Sequence, residues 1–383
     1  MSDRGFLEKL LDGVSVEWKL LGDEDLFEVA NRGRSPVKAS LRVAGQTPYY
    51  GANNIQDYVD GHTHEGEYVL IAEDGSASLE NYSIQYATGK FWANNHVHVL
   101  RGQQNVNTRY LFHYLCIVNF VPFLTGGGRA KLTKGQLVQI PAPIPCPEDP
   151  EKSLAIQAEI VRILDSFTEL TAELTAELTA ELKVRKQQYN HYRDQLLSFE
   201  DSDVEWKTLV EVADFRRGTA ITKKQTIEGD IPVVANGPVP TYTHGEHNRE
   251  GETVVIARSG AYAGYVSYWN EPIFLTDAFS VHPHDGVLKP RFVYYLLQNK
   301  QDQIHAMKKG AGVPHVRVKE VELYDVPVPS MKEQDRIVAI LDKFDTLTTS
   351  LSEGLPREIK LRQQQYEYYR DLLLSFPKPE EAA

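Results

Sequence analysis

One stretch, residues 160–199, constrains this chain more than any other. It contains three copies of Thr-Ala-Glu-Leu, which begin at Thr171, Thr175 and Thr179, and its apolar residues recur every three or four positions. No residue in it breaks a helix, and its Ala, Glu, Leu, Lys, Arg and Gln residues all favour one. At about 1.5 Å per residue the predicted helix is about 60 Å long, too long to cover one face of a small domain. Such a helix is expected to act as a spacer and to pair with another helix.

The partner lies in the same chain, at residues 337–376. The two stretches align without a gap, so that Ile160 falls on Ile337, and both end in a Gln-Gln-Tyr, Tyr-Arg-Asp and Leu-x-Ser-Phe series. Two matching helices in one chain predict an antiparallel pair. In the second copy, Gly354 and Pro356 are expected to kink or break the helix.

The segments before the two helices also match each other. Val16-Glu17-Trp18-Lys19 recurs as Val204-Glu205-Trp206-Lys207, and residues 65–72 match residues 250–257, a predicted buried strand in each copy. The chain is therefore a tandem duplication with an α+β fold: two globular mixed α/β domains separated by an antiparallel coiled coil of two long helices, related by a pseudo-twofold repeat. The predicted segments are an N-terminal helix completing the repeat (1–15), domain 1 (16–145), a central long helix (150–200), domain 2 (204–330) and a C-terminal long helix (331–378).

Composition narrows the possible functions. The 383 residues carry a formal net charge of −12, which weighs against a free-standing nucleic-acid binder, so partners would have to supply much of the phosphate neutralisation. The two lone cysteines, Cys116 and Cys146, form neither a disulfide framework nor a metal-binding pair. With no apolar run of membrane-spanning length and no signal peptide at its start, the chain is expected to be cytoplasmic.

Together, the duplicated domain–helix plan, the Val-Glu-Trp-Lys openings, the shared helix endings and the Thr-Ala-Glu-Leu array carry a resemblance. Over essentially its whole length the chain resembles the specificity subunit of Type I restriction–modification systems, in the branch with Thr-Ala-Glu-Leu spacer repeats. The resemblance implies two target recognition domains, each of which recognises one half of a split, asymmetric DNA sequence. It also implies that the helices hold two methyltransferase subunits and that restriction and translocase subunits join the complex.

The chemistry is then expected on the partners. The sequence contains no Asn-Pro-Pro-Tyr or Asp-Pro-Pro-Tyr motif, no glycine-rich S-adenosylmethionine loop and no phosphate loop for ATP. We therefore expect no catalytic residue and no cofactor in this chain, with S-adenosylmethionine and ATP bound by the partner subunits.

Basic residues near glycine-rich turns are the candidates for DNA contact, since phosphates need exposed Lys and Arg and arginine also recognises guanine. Ordinary surface charge is the alternative for each cluster. The candidates are Arg32, Arg34, Lys38, Arg129, Lys131, Lys134, Arg216, Arg217, Lys223, Lys224, Arg258, Lys308, Lys309, Arg317 and Lys319. Arg258 has an acidic counterpart in the first copy, Glu73, so the two copies cannot use this position alike.

The helix ends carry a second candidate surface. Tyrosine and arginine are common interface anchors, and they could bind the methyltransferase or pack against the adjoining domain. The candidate partner-binding residues are Tyr189, Tyr192, Arg193, Tyr366, Tyr369 and Arg370.

Three histidine pairs could suggest metal binding: His62 with His64, His96 with His98, and His282 with His284. No Cys or acidic cluster supplies further ligands, so surface or core histidines are the simpler interpretation and no metal site is predicted.

Two other functional classes stay open at this level. A coiled-coil scaffold would bind proteins without DNA specificity, and an enzyme would carry matched acids and histidines in both copies. Only His62 and His247 match in that way, and one imidazole is not a catalytic constellation. A DNA-recognition subunit without catalytic activity is therefore the leading hypothesis.

Overall fold

The computed structural model describes residues 10–11, 13–126, 130–199, 204–240, 242–308, 314–350 and 353–377. Most of the predicted N-terminal helix over residues 1–15 lies outside these ranges; Leu10 and Leu11, which lie within them, are helical. The chain forms two compact units. Unit 1 comprises Met1–Ala176 with Lys360–Ala383, and unit 2 comprises Glu177–Ile359.

Unit 1 contains ten strands and two short helices among the described residues. The strands are β1 Val16–Leu20, β2 Phe27–Val29, β3 Ala44–Tyr50, β4 Ile55–Val59, β5 His64–Glu65, β6 Tyr68–Ala72, β7 Ile84–Ala87, β8 Lys90–Ala93, β9 Val97–Gly102 and β10 Pro141–Pro145. The helices are α1 Thr108–Leu115 and α2 Lys134–Leu137, with 3-10 turns at Asn31–Gly33, Ala39–Leu41 and Val121–Phe123. The long helix α3, Pro150–Leu196, begins in unit 1 and ends in unit 2.

Unit 2 repeats this series. Its strands are β11 Glu205–Thr208, β12 Ala213–Arg217, β13 Ile231–Val234, β14 Thr243–His244, β15 Glu252–Ala257, β16 Val266–Asn270, β17 Phe274–Leu275, β18 Ala278–Pro283 and β19 Asp325–Val328. Its helices are α4 Leu209–Val212, α5 Pro290–Asn299, α6 Gln301–Ala306, α7 Val318–Glu322 and α8 Met331–Thr349, with a 3-10 turn at Lys223–Gln225. A last helix, α9 Leu355–Leu373, ends in unit 1.

The strand pairing has the same plan in both units. An antiparallel pair, β1 with β10 or β11 with β19, joins the start of each domain to its end. The order β2-β9-β6-β7 in unit 1 corresponds to β12-β18-β15-β16 in unit 2, and all of these neighbours are antiparallel. The second sheet of each domain contains one parallel pair, β3 with β8 or β13 with β17. The duplication therefore extends to the order of the strands.

The central strands have the sequence expected of a buried strand. All five residues of β6 are buried, as are the last five of β15, because a continuous run of Val, Leu, Ile and Ala is covered on both faces. The predictions of a buried strand at residues 65–72 and at 250–257 are confirmed for these strands.

Each domain core is completed by two helix segments. In unit 1 the cluster includes Ile160 and Leu164 from the beginning of α3, together with Leu374 and Phe376 just after α9. In unit 2 it includes the corresponding Ile337 and Leu341 from α8, together with the corresponding Leu197 and Phe199 just after α3. The core of each domain is thus completed by the start of the long helix that follows the domain in the chain and by the end of the other long helix.

Ring contacts show the direction of the helices. In unit 1, Phe167 stacks on Tyr369 with ring centroids 5.8 Å apart; in unit 2, the corresponding Phe344 stacks on Tyr192 at 5.6 Å. Since the beginning of one helix contacts the end of the other, the pair is antiparallel, as predicted. The predicted break is also confirmed, because α8 ends at Thr349 and α9 begins at Leu355.

The Thr-Ala-Glu-Leu array lies within α3, which runs for 47 residues without interruption. Its leucines Leu174, Leu178 and Leu182 are half-buried, whereas the glutamates Glu173 and Glu177 are exposed. Nowhere in the described part of the chain is a helix both long enough and apolar enough to cross a membrane.

Candidate nucleic-acid interface

A cationic cleft forms in domain 2 beside the end of strand β15. It has a volume of about 500 Å³ and is lined by Arg217, Arg258, His315, Val316, Arg317, Val318 and Lys319. Arg217 ends strand β12, Arg258 follows β15, and Arg317 and Lys319 lie at the start of α7. Four side chains that are positive at neutral pH line the cleft, and no acidic residue occurs among the lining residues that the structure describes. Such a surface suits an anion.

Backbone pairing holds the cleft together. The Val316 amide donates to the carbonyl of Arg258 at 2.9 Å, and Ser259 pairs with His315 as an isolated antiparallel bridge. Segments that are more than fifty residues apart in sequence therefore bring their cations into one place. The sequence identified the cations individually, but the cleft they form depends on this pairing.

Next to the cleft, the Asp277 carboxylate lies beside Arg258. The Asp277 carboxylate accepts hydrogen bonds from the Ser259 hydroxyl at 2.8 Å and from the Asn236 amide, and lies 3.9 Å from Arg258 Nε. Asp277 has a φ of 43°, a left-handed backbone conformation that is uncommon for a residue other than glycine. Sequence reasoning missed Asp277, Asn236 and His315, since no local pattern marks them.

Domain 1 has the same backbone arrangement with the opposite charge. Glu73 follows β6 as Arg258 follows β15, and its carbonyl accepts from the Leu132 amide at 2.8 Å. Arg34 Nη1 donates to Glu73 Oε2 at 2.6 Å, and Lys131 Nζ lies 2.9 Å from Glu73 Oε1. Burial alone would raise the pKa of the Glu73 carboxyl, but the hydrogen bonds from Arg34 and Lys131 hold it below its usual value. The two copies therefore differ at this position in both charge and side-chain partners.

Further contacts tie this charged cluster into domain 1. Arg34 Nη1 also donates to the carbonyl of Val97 at 2.8 Å, and its side chain is only 17 % exposed. The buried His98 ring makes hydrogen bonds with the Leu132 carbonyl at 2.7 Å and with Asn31 at 2.9 Å. Burial lowers the pKa of His98, so this ring is neutral at pH 7. Arg34 and Lys131 are thus in direct contact with a carboxylate, whereas Arg258 of the cleft has only the longer 3.9 Å contact with Asp277.

The remaining candidate cations are distributed over the surfaces of the two domains. Exposed residues in domain 1 are Arg32, Lys38 and Lys134; those in domain 2, besides the cleft, are Arg216, Lys223 and Lys224. Lys308 Nζ donates to the carbonyl of Ala261 at 3.3 Å. Arg129 and Lys309 lie outside the described residues.

Comparison with known proteins identifies the family. The Type I restriction modification DNA specificity domain matches the chain twice, at residues 15–184 and 201–361. A putative type I restriction enzyme specificity subunit from Haemophilus influenzae is 45% identical over 98% of this chain and 99% of its own length. The EcoR124I/EcoR124II specificity subunit from Escherichia coli is 36% identical over 99% of each.

This chain belongs to the type I restriction–modification specificity subunits.

Solved structures of the family share the fold. The S subunit from Mycoplasma genitalium has a TM-score of 0.56 at 18% identity and is matched over 96% of this chain and 98% of its own. A chain from a study of complex assembly and conformational transition in the type I system has a TM-score of 0.61 at 16% identity, over 94% and 97%. As a specificity subunit, the chain recognises DNA targets and is not the enzyme of the system.

The tyrosines and arginines at the helix ends take matching positions in the two units. Tyr189 is buried in the core of unit 2, whereas Tyr192 and Tyr369 stack on phenylalanines and remain partly exposed. Arg193 and Arg370 each pair with the next residue, an aspartate, at 3.0 and 2.8 Å. Tyr366 shares a hydrogen bond with Thr168 at 3.0 Å. Packing therefore accounts for Tyr189, and partner contact stays a prediction for the outward-facing residues.

The histidine pairs have protein partners. His64 makes a hydrogen bond with the Ala30 carbonyl at 2.9 Å, His96 with Asp74 at 2.6 Å, and His282 with Ser280 at 2.9 Å. Within the described ranges, no group of three His, Cys, Asp or Glu residues is arranged to hold a metal ion.

Proposed function

We propose that the cationic cleft of domain 2 binds DNA at one half of a split, asymmetric target, and that domain 1 recognises the other half. The single observation that carries the proposal is the convergence of Arg217, Arg258, Arg317 and Lys319 on one cleft, whose described lining includes no acidic residue. Phosphate contacts require such exposed cations, and a guanidinium can also pair with the edge of guanine in the major groove.

The asymmetry of the target follows from the difference between the domains. Their four-stranded antiparallel sheets have the same strand order, but the residue after the central strand is Glu73 in one and Arg258 in the other. In domain 1, Arg34 and Lys131 are already paired with the Glu73 carboxylate and are less available to a phosphate, whereas Arg258 lines an open cleft. The two domains are therefore expected to contact different bases and to contribute unequally to DNA affinity.

The assembly belongs to the same proposal. Two methyltransferase subunits would dock on the helices, at exposed residues such as Tyr192, Tyr369 and the neighbouring arginines, and restriction subunits would join them. S-adenosylmethionine and ATP would bind those partners, and the complex would act in the cytoplasm. A total charge of −12 on this chain supports a need for partners in neutralising DNA.

The test is a fourfold alanine variant of Arg217, Arg258, Arg317 and Lys319, assembled with the methyltransferase partner. Each lost phosphate contact lowers the salt slope of log K by about 0.9, so the slope should fall by up to about 3.6. Affinity for DNA carrying both half-sites should fall by about a hundredfold at moderate salt. Fluorescence anisotropy titrations at several salt concentrations give both values.

Lys207→Ala is the matched control, because Lys207 pairs with Glu205 at 3.3 Å on strand β11 and does not line the cleft. It should leave affinity and salt slope unchanged. Unchanged DNA binding by the fourfold variant would overturn the proposal. Binding that is equally strong on any sequence in the unmodified complex would instead favour a protein scaffold without DNA specificity.

A further inference from the structure

A buried glutamine joins domain 1 to the first turns of α3. Gln157 has no exposed surface; its Oε1 accepts from the amide of Asn107 at 2.8 Å, and its Nε2 donates to the carbonyl of Asn105 at 3.1 Å. Asn107 in turn caps α1, with its side chain accepting from the amides of Arg109 and Tyr110. One side chain of the long helix therefore fixes the loop that begins a domain helix.

A carboxylate forms a second link farther along the same helix. Asp165 Oδ1 accepts from Arg109 Nε at 2.9 Å and makes a hydrogen bond with His113 Nε2 at 2.8 Å. The Arg109 guanidinium also lies over the ring of Tyr86, 4.5 Å from its centroid. Arg109 is 27 % and His113 only 2 % exposed, while the Asp165 carboxylate is 40 % exposed, so water reaches the link from the side of the carboxylate.

Domain 2 repeats the glutamine link at the corresponding position. Gln334 is fully buried; its Oε1 accepts from the amide of Lys289 at 2.8 Å, and its Nε2 donates to the carbonyl of Val287 at 2.9 Å. Lys289 immediately precedes α5, just as Asn107 immediately precedes α1.

The carboxylate link is repeated as well. Asp342 Oδ1 accepts from Arg291 Nε at 2.7 Å and from the Tyr295 hydroxyl at 2.6 Å. Arg291 lies over the ring of Tyr268 at 4.5 Å, the same distance as Arg109 over Tyr86. Two details differ: His113 in domain 1 is replaced by Tyr295 in domain 2, and Arg291 also pairs with a second carboxylate, Asp345, at 3.3 Å.

The spacing of the two links gives them a mechanical role. Gln157 and Asp165, like Gln334 and Asp342, are eight positions apart, which is about 12 Å along a helix and still on one amphipathic face. A single link would leave a domain free to turn about it. Two links separated by about two helical turns fix both the angle and the axial position of the domain on its helix.

We propose that Gln157, Asp165, Gln334 and Asp342 are positioning residues that set the number of base pairs between the two half-sites. The inference rests on the proposed function, in which each domain recognises one half-site. B-DNA turns by about 34° per base pair, so a domain that swivels on its helix by this angle faces the groove of a neighbouring base pair. The links act through the domain's orientation and touch no base.

The test uses Asp165→Asn and Asp342→Asn, singly and together, in the full chain assembled with its methyltransferase partner. Probes are three DNA duplexes that carry the target mapped by genome methylation, with the native gap, one base pair less and one base pair more. We expect the preference for the native gap over its neighbours to fall about tenfold in the double variant, since charge-assisted hydrogen bonds are lost in both domains. Methylation mapping should show unchanged bases within each half-site.

Two controls separate positioning from stability. Glu159→Gln removes an exposed ion pair with Arg162 within the same helix, at 2.7 Å, and should keep the full gap preference. Asp165→Glu with Asp342→Glu retains both charges and should restore most of it. If the double asparagine variant fails to assemble, the single variants provide the test, and each should lower the preference for the native gap about threefold.

The outcomes are distinguishable. An equal loss of affinity for all three duplexes, with the gap preference intact, would show that the links only stabilise the domains and would overturn the inference. If the unmodified complex shows no gap preference at all, the proposed split target is wrong instead.

Discussion

Glu73 in domain 1 and Arg258 in domain 2 follow corresponding buried strands, and their carbonyls accept from the corresponding amides of Leu132 and Val316, yet their electrostatic surroundings are opposite. Glu73 draws Arg34 and Lys131 inward, with contacts of 2.6 and 2.9 Å, whereas Arg258 opens on a cleft with three other cations. Their difference shows that one scaffold can present either a closed, neutralised cluster or an open cationic surface.

The surroundings of the two positions differ accordingly. In domain 1 both cations of the cluster, Arg34 and Lys131, are paired with the Glu73 carboxylate within the domain. In domain 2 the only carboxylate near Arg258 among the contacts of the described residues is Asp277, at 3.9 Å, which leaves the arginine 45 % exposed. Duplication has therefore preserved the fold, while the two copies have diverged in how their charges are used.

The largest expected effect comes from replacing domain 2 by a second copy of domain 1. A fragment of residues 1–200 should dimerise. In the full chain, Leu374 and Phe376 complete the core of domain 1, and the end of α3 carries a matching Leu and Phe that can do the same for a second copy of the fragment. With the methyltransferase it should direct methylation to a palindromic form of the first half-site and lose the asymmetric site. Its salt slope should be shallower, since neither copy has the cationic cleft.

Light scattering and base-resolution methylation mapping check this prediction. A fragment that remains monomeric, or one that still directs methylation to the asymmetric site, would contradict it. A salt slope as steep as that of the full chain would contradict the comparison between the domains instead.

A smaller effect is expected from Glu73→Ala, which removes the carboxylate that engages Arg34 and Lys131. The free energy of unfolding should fall by about 2 kcal/mol, because the mostly buried Arg34 loses its charged partner. At the same time the two released cations should steepen the salt dependence of DNA binding, by up to about 0.9 per new phosphate contact. Thermal unfolding and salt titrations measure the two effects.

Glu28→Ala is the matched control for that variant. Glu28 pairs with Arg101 at 2.6 Å, but both side chains are about two-fifths exposed, at 39 % and 41 %. Such a pair contributes at most about 1 kcal/mol, so the control should change stability little and the salt slope not at all. Equal behaviour of the two variants would show that the Glu73 cluster has no special role.

The smallest effect concerns His113, whose counterpart in domain 2 is Tyr295. Burial lowers the pKa of His113 below its ordinary value, against the opposing hydrogen bond and charge of Asp165. Between the folded pKa and about 6.5 the unfolded chain binds more protons, so stability should fall as pH is lowered through this window. One such group contributes at most about 1.4 kcal/mol per pH unit.

In His113→Tyr the free energy of unfolding should therefore fall less steeply as the pH is lowered from 6.5, as measured by chemical denaturation at several pH values. Part of the slope should remain, because burial also lowers the pKa of His98. Tyr295→Phe, which leaves every histidine in place, serves as the control and should not alter the slope in this window. An unchanged slope in His113→Tyr would refute the assignment.

Sequence alone determined the architecture. The aligned helices, the repeated Val-Glu-Trp-Lys openings and the continuous apolar runs predict the duplication, the buried strands β6 and β15, and the break before Leu355. These features depend on local propensity and on hydrophobic periodicity, which can be identified directly in the sequence. The family resemblance rests on the same local motifs.

Only the tertiary structure decided how the charged residues are used. Arg34 and Arg258 are both basic residues near turns. Arg34 pairs with Glu73, which lies 39 positions away in the sequence, whereas Arg258 lines the same cleft as Arg317 because Ser259 pairs with His315. Likewise, nothing in the sequence around Gln157 or Asp165 marks them as links to a domain. The role of a polar side chain depends on the partner that lies opposite it, and long-range backbone pairing determines that partner.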